Sequence, residues 1–545
     1  DRELIMEINK ILAEEFKLRQ EQVVNTVALI DDGKTIPFIA RYRKELTGSL
    51  DDQILRELSD RLTYLRNLEI RKSEVSSSIA EQGKLTEEIS SALDKAETLV
   101  EVEDIYRPFK PKRKTRASIA REKGLEVLAD LIGRQDDKLD LHNESQKFIN
   151  VENGLETEEE VIQGASDIIA ENVSDDAELR KSIRKLYEKA AKIESRASDE
   201  NAETVYQNYY EFCEPVSKIA DHRILALDRG EKEGALKVSV SIDEEFCFSI
   251  AERKYVINNT DSGNIVKAAV QDSCKRLIMP SVEREIRAEL TARAAEGAIK
   301  VFSSNLRQLL LQPPIKNSVT LGLDPAYRTG CKIAVVDSIG KVLDTTVIYP
   351  TPPQKKIEEA KTKLKKLITK YGVTTIAIGN GTASRESEEF VAELIKEIPQ
   401  NVSYMVVSEA GASVYSASKL AAEEFPEYDV SLRSAVSIAR RLQDPLAELV
   451  KIDPKAIGVG QYQHDMPKAR MNEALSGVVE DCVNSVGVDL NTASYSLLAY
   501  ISGINSSVAK NIVKYREENG AFTDRKQLLK VPKLGKKAFE QCAGF

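Results

Sequence analysis

The sequence predicts a mainly helical, multidomain protein with one α/β module and a C-terminal pair of helical hairpins. Three observations predict it. Apolar residues recur at helical spacing through most of the first 200 residues. A β-β-β-α-β-α-β-α order occupies residues 318–445. Two similar turns, each containing a glycine, follow residue 500. The chain has 545 residues, and at about 150 residues per domain that length suits three or four domains. Its net charge is −10, which excludes a uniformly basic nucleic-acid coat, so any contact with a polyanion must be local.

Residues 1–221 form the first expected region. Ile5, Ile8, Ile11 and Leu12 make one helical stripe, and Leu55, Leu58, Leu62 and Leu65 make another. Two segments break the periodicity: Pro37 to Lys44 (PFIARYRK), and Tyr106 to Arg121, with Pro108 and Pro111 as breakers. The second contains Arg107, Lys110, Lys112, Arg113, Lys114 and Arg116 with no acid among them. Two readings of it stand: a phosphate clamp with Tyr106 and Phe109 as stacking faces, or a solvated basic loop docked on acidic helices.

Residues 222–317 form the second. Ile224, Leu225 and Leu227, then Leu236, Val238 and Val240, read as a β-hairpin turning at Gly230 and Gly234. A long helix follows from Val282 to about Leu311, with Ile286, Leu290, Ala294, Ala298 and Phe302 on one face, and Pro313-Pro314 ends it.

Residues 318–455 form the third. Strands are expected at Val319–Asp324, Lys332–Asp337, Val342–Tyr349, Thr374–Ile378 and Tyr404–Val407. Helices are expected at Pro353–Tyr371, Ser384–Ile398 and Ser431–Leu442. A meander followed by helix-connected parallel strands is the order of the ribonuclease H-like fold. Asp324 ends the first strand, where such folds place a metal-binding carboxylate. Cleavage with two Mg²⁺ ions needs several converging carboxylates, and Glu409, Asp444 and Glu448 are the further candidates. The fourth strand ends in Gly379-Asn380-Gly381, where a nuclease needs an acid, and Glu386 lies a turn or more beyond. The reading therefore leans to a vestigial site, with no cofactor unless the site is active and binds Mg²⁺.

A linker, 456–484, carries Gln461-Tyr-Gln-His-Asp465, in which His464 suits a turn or a hydrogen bond better than catalysis. The last region, 485–545, repeats one pattern. Ile501-Ser-Gly503-Ile-Asn505 and Val531-Pro-Lys533-Leu-Gly535 each precede a helix, which fits the helix-hairpin-helix motif. Such a turn presents backbone N–H groups at a helix N-terminus, which bind phosphate without reading sequence. Residues 486–545 hold nine Lys or Arg against five acids, a local +4 within an acidic chain. Gly503, Asn505, Lys510, Lys533, Gly535, Lys536 and Lys537 are the leading nucleic-acid-binding candidates, and Lys112, Arg113 and Lys114 the rival set.

Other chemistries find little support. No Gly-x-x-x-x-Gly-Lys-Ser/Thr loop is present. Three histidines and six scattered cysteines, with no C-x-x-C pair, give no zinc or disulfide framework and suit a reducing cytoplasm. No apolar stretch is long enough to cross a membrane. The string Leu225 to Val238 echoes Leu321 to Val335, which is read as chance.

Longer strings carry a resemblance. They are Pro37–Glu45, Lys110–Leu125, Ser408–Ser418, Val459–Asp465 and Val479–Ser494. Together, and in order, they resemble the bacterial Tex family of transcription accessory proteins over essentially the whole chain. The resemblance implies an N-terminal part with a helix-turn-helix-like element, a long central helix, a YqgF-type ribonuclease H-like domain and helix-hairpin-helix repeats. It also implies an S1 RNA-binding domain, which is missing here; both ends of the chain read as cuts. The function implied is a scaffold in transcription that binds RNA or DNA through phosphates, is monomeric and cytoplasmic, and has RNA polymerase or other transcription machinery as a further partner. The alternative is a Mg²⁺-dependent, structure-specific nuclease.

Overall fold

The structure of the protein, a computed structural model, describes residues 2–111 and 114–545. Two compact units emerge. One contains residues 2–59 and Ala298–Phe545, the other Asp60–Gly297.

The Asp60–Gly297 unit is helical around a three-stranded antiparallel sheet of order β2-β1-β3. The strands are β1 (Lys192–Ala197), β2 (Glu211–Pro215) and β3 (Leu236–Ser241). The hairpin expected from residue 224 onward is not there. Asp221–Lys232 is a helix that buries Ile224, Leu225, Ala226, Leu227 and Gly230, and only Leu236–Ser241 is a strand. A short, nearly continuous apolar run satisfies either period, and here packing chooses the helix. The echo between 225–238 and 321–335 therefore joins unlike structures. β1 falls inside the stretch read as helix, where Ile193 and Ser195 alternate inward. This unit also buries charge. Arg180, 1% exposed, donates to Asp104 at 3.2 Å and to Ser281 at 2.7 Å, while Arg184 bridges Asp104 and Glu285. Such networks hold elements in register, and losing one member strands the others in low dielectric.

The long helix is Met279–Leu310, with Ile286, Leu290, Ala294 and Phe302 buried as their fourfold spacing requires. Ahead of it, Ser273–Ile278 opens to a π-helix. Pro280, which lacks a backbone donor, lies just beyond that opening.

The other unit contains the five-stranded mixed sheet, order β6-β5-β4-β7-β8. Its strands are β4 (Thr320–Asp324), β5 (Cys331–Val336), β6 (Val342–Ile348), β7 (Thr375–Gly379) and β8 (Ser403–Val407). The meander pairs antiparallel, and β7 and β8 add in parallel, as the element order requires. Leu321, Leu323, Ile376 and Ile378 face the helices Ile357–Tyr371 and Ser384–Lys396. The opposite face packs on Val430–Gln443 through Ala334, Ala377, Ala435, Ile438 and Ala439. That helix comes so close to β4 that a Cβ on Gly322 would lie 2.2 Å from the Ala435 carbonyl oxygen. Among the described residues no helix is long and apolar enough to cross a membrane.

Candidate functional site

Two places collect the predicted residues. The first is the edge of the five-stranded sheet at which β4, β7 and β8 end. Burial, and next the nearby Glu409 charge, push the Asp324 carboxyl up to about 6, while a hydrogen bond from Ser434 and the charge of Lys332 oppose them. Glu409 lies over the end of β7. A Cβ on Gly379 would stand 2.6 Å from its Oε2, so a side chain there would displace the Glu409 carboxylate. Asn380 is not a ligand in waiting. Its Oδ1 accepts the Glu409 backbone N–H at 3.0 Å and ties the ends of β7 and β8 together.

The third carboxylate expected here does not join. Asp444 is exposed and caps the Pro445–Leu449 helix, accepting the Ala447 N–H at 3.1 Å. Glu386 accepts the Tyr327 hydroxyl at 2.8 Å. Glu448 is buried and pairs with Lys451 at 3.0 Å. Among the described residues no three His, Cys, Asp or Glu side chains converge as a metal site.

Sequence reading missed the residue that organises this edge, Arg441. It is 2% exposed and donates to the carbonyls of Ser408 at 2.9 Å and Ala410 at 2.7 Å. Burial pulls its guanidinium below the ordinary value, and the charges of Glu448 and Glu409 pull the other way. Its positive charge thus acts on Glu409 as well as on Glu448. The signal was an arginine on the buried stripe of a helix, one turn after Ile438.

The second place is the hairpin pair. Gly503 carries the first turn with φ +76°, and a Cβ there would stand 3.0 Å from the Gln541 Cβ. In the second turn the left-handed position belongs to Lys533, with φ +67°. Gly535 is extended, φ −87°, at the N-cap of Lys536–Cys542. It therefore does not shape the turn as expected; it leaves that helix end without a side-chain cap. Asn505 caps Ser506–Asn519 by accepting the Val508 N–H at 2.9 Å, and Ser506 and Ser507 stay exposed. The two turns meet here. Lys533 Nζ lies 3.4 Å from the Ser507 hydroxyl, and Asn511 donates to the Pro532 carbonyl at 2.9 Å. A lysine from the second hairpin thus stands at the positive end of the first hairpin's helix. Lys510, Lys536 and Lys537 are exposed, and Lys510 lies over the Tyr495 ring at 5.3 Å. Arg516 is engaged internally with the Leu490 and Ala493 carbonyls.

The other sequence signals resolve as follows. The PFIARYRK string forms the helix Ile36–Tyr42 and its exit, and it locks onto the hairpins. Thr35 N–H donates to Gln541, Lys34 and Arg43 pair with Glu540, and Arg41 donates to the Asn484 carbonyl. In the linker, Gln463 rather than His464 is structural. It is buried and bonds the backbone of Lys455, Ile457 and Val459. In the rival basic loop, Arg107 faces Asp104 at 3.7 Å, Lys110 pairs with Glu103, and Lys114 faces Glu122 at 3.8 Å. These pairings fit a docked loop. Lys112 and Arg113 lie outside the described residues.

Comparison with known proteins agrees with this layout. Four family models match in chain order. They are the Tex-like protein N-terminal domain at 6–80, the Tex central region-like model at 136–302, the Tex protein YqgF-like domain at 318–443 and the helix-hairpin-helix motif at 483–545. The chain is 52% identical to the Bacillus subtilis protein YdcI over 540 residues, covering 98% of this chain and 75% of that one. It is 39% identical to human S1 RNA-binding domain-containing protein 1, covering 100% of this chain and 56% of that one. To the transcriptional accessory protein Tex of Neisseria gonorrhoeae it is 47% identical over 552 residues, covering 99% of this chain and 72% of that one. With that identity along nearly its whole length and the domain models in order, the chain belongs to the Tex family.

Proposed function

We propose that this protein is a transcription accessory scaffold that grips RNA or DNA through phosphates at its tandem hairpins. One observation carries the reading: Lys533 of the second turn stands at the exposed N-terminus of Ser506–Asn519, beside Ser507. A cation, exposed helix-terminal residues and a helix dipole then face one anion, while Lys536 and Lys537 extend the positive surface. Contacts of this kind ignore base identity and weaken with salt. The test is a salt titration of affinity for a single-stranded RNA and a matched DNA duplex. Replacing Lys533, Lys536 and Lys537 by Ala should lower the slope of log K against log salt by up to about 3, near one for each phosphate no longer neutralised. An unchanged slope sinks the reading, and an Arg107/Lys110/Lys114 variant that alone loses slope moves the site to the other basic loop. RNA polymerase or associated machinery as protein partner, a monomeric state and a cytoplasmic location complete the proposal.

The second reading, a Mg²⁺-dependent nuclease, draws on Asp324 and Glu409 sharing one strand edge. The scaffold reading expects single-stranded, duplex and four-way-junction substrates to survive incubation with Mg²⁺ or Mn²⁺. Cleavage that vanishes in Asp324→Asn would favour the nuclease.

A further inference from the structure

The two edges of the five-stranded sheet are built differently. β6 carries Asp344, which accepts the Tyr371 hydroxyl at 2.8 Å and faces Lys370 at 3.6 Å. A charge on an edge strand is one way natural sheets prevent unwanted pairing. β8 has none. Its residues, Ser403-Tyr404-Met405-Val406-Val407, include no charge and no proline. Tyr404, Met405 and Val406 are 37%, 41% and 37% exposed, three large side chains in succession. The strand pairs with β7 along one side. Among the described residues no backbone hydrogen bond joins 404–407 to any other segment.

Alternation gives β8 two rows. Val407 packs with Ala377, Ile438 and Leu442, and Met405 shares that row. Tyr404 and Val406 occupy the other, where the Tyr404 hydroxyl donates to Glu388 at 3.3 Å. Glu388 belongs to the Ser384–Lys396 helix, which carries Glu386, Glu388, Glu389 and Glu393 against Arg385 and Lys396. Arg385 pairs with Glu389, so it leaves Glu388 without an ion-pair partner among the described residues. An apolar, unpaired edge is thus bordered by negative charge.

From this we propose that β8 docks an extended segment of a partner protein, one that alternates apolar residues with Lys or Arg. The segment's main chain completes the open ladder, its apolar side chains continue the Met405 row, and its cations continue the Tyr404–Val406 row, where they reach Glu388. A second copy of this chain fits less well. Two β8 strands paired about a two-fold axis would bring two acidic Ser384–Lys396 helices together on one face, and like charges there oppose association. The proposal does not depend on the nucleic-acid reading.

Random ten-residue peptides displayed on phage, selected on the full chain and counter-selected on Val406→Lys, test it. Enriched peptides should lack proline and alternate apolar with basic residues. A synthetic copy of one, followed by fluorescence anisotropy, should bind the parent about tenfold more tightly than Val406→Lys and about threefold more tightly than Glu388→Gln. Its binding should also slow amide hydrogen exchange at residues 404–407 of the parent, a readout that does not require the variant to fold. Selection of no common pattern, equal binding to parent and Val406→Lys, or no protection at 404–407 overturns the proposal. A parent dimer in sedimentation that Val406→Lys dissolves overturns it in favour of a second copy.

Discussion

The strand edge around Asp324 and the hairpin pair around Lys533 both gather charge, and they handle it in opposite ways. At the strand edge the charges face inward. Arg441 is buried against the Ser408 and Ala410 carbonyls, and its charge acts on Glu409 and Glu448. At the hairpins Lys533, Lys536 and Lys537 face solvent, and Lys533 borders an exposed helix N-terminus. Inward charge is coupled to folding, because each group there is desolvated and relies on its neighbours. Outward charge is nearly free of folding and remains available to a ligand. Charges at the end of one sheet can thus be built into the architecture, while those on a hairpin stay solvated.

Four experiments probe that contrast. The largest stability effect should come from Arg441→Ala. Removing the guanidinium leaves the Ser408 and Ala410 carbonyls without their donor and Glu409 and Glu448 without its charge, and the loss should reach about 2–4 kcal/mol in denaturant unfolding. A loss under about 1 kcal/mol would mean that the charge is not structural.

Next comes pH. Burial holds the Asp324 carboxyl up to about 6, so between about pH 4 and 6 the native state binds more protons here than the unfolded chain does. Stability from this group is then present at low pH and is lost as pH rises through about 6. Asp324→Asn removes that loss. The variant should match the parent near pH 4 and exceed it by about 2 kcal/mol at pH 7. A variant less stable than its parent at pH 7 would show that Asp324 is stabilised as a carboxylate.

The hairpin turns differ from each other in a measurable way. Gly503→Ala forces a side chain into φ +76° and against Gln541, and should cost about 1–2 kcal/mol. Lys533→Gly relieves φ +67° while freeing the unfolded chain, so the two effects nearly cancel and stability should stay within about 0.5 kcal/mol. Equal losses from both would mean the turns are under the same constraint. The smallest effect on folding should come from replacing Lys533, Lys536 and Lys537 by Ala, within about 0.5 kcal/mol of the parent, even as the salt slope of binding falls. A melting temperature that drops with the slope would erase the contrast.

Much of the fold is legible in the amino-acid order. Strands β4 to β8 and the helices between them follow from local alternation and spacing, because each residue's facing is set by its near neighbours. So do the long helix ending before Pro313 and the two hairpin turns. Elsewhere the local signals are ambiguous or incomplete. Residues 224–227 satisfy both periods, and β1 is fixed by pairing with residues 211–215 and 236–241, which no window around residue 193 contains.

Residue order alone was enough for the family strings, the succession of elements, the acid missing from the end of β7 and the concentration of positive charge after residue 485. What each charge does was settled by folding. Packing set Arg441 beside Glu409, gave Asp444 a helix to cap, turned Arg43 toward Glu540 and carried Lys533 to Ser507. The cause is range. Backbone periodicity is decided over a few residues, whereas a charge finds its partner wherever the fold brings one within a few ångströms, and Arg43 and Glu540 are 497 residues apart.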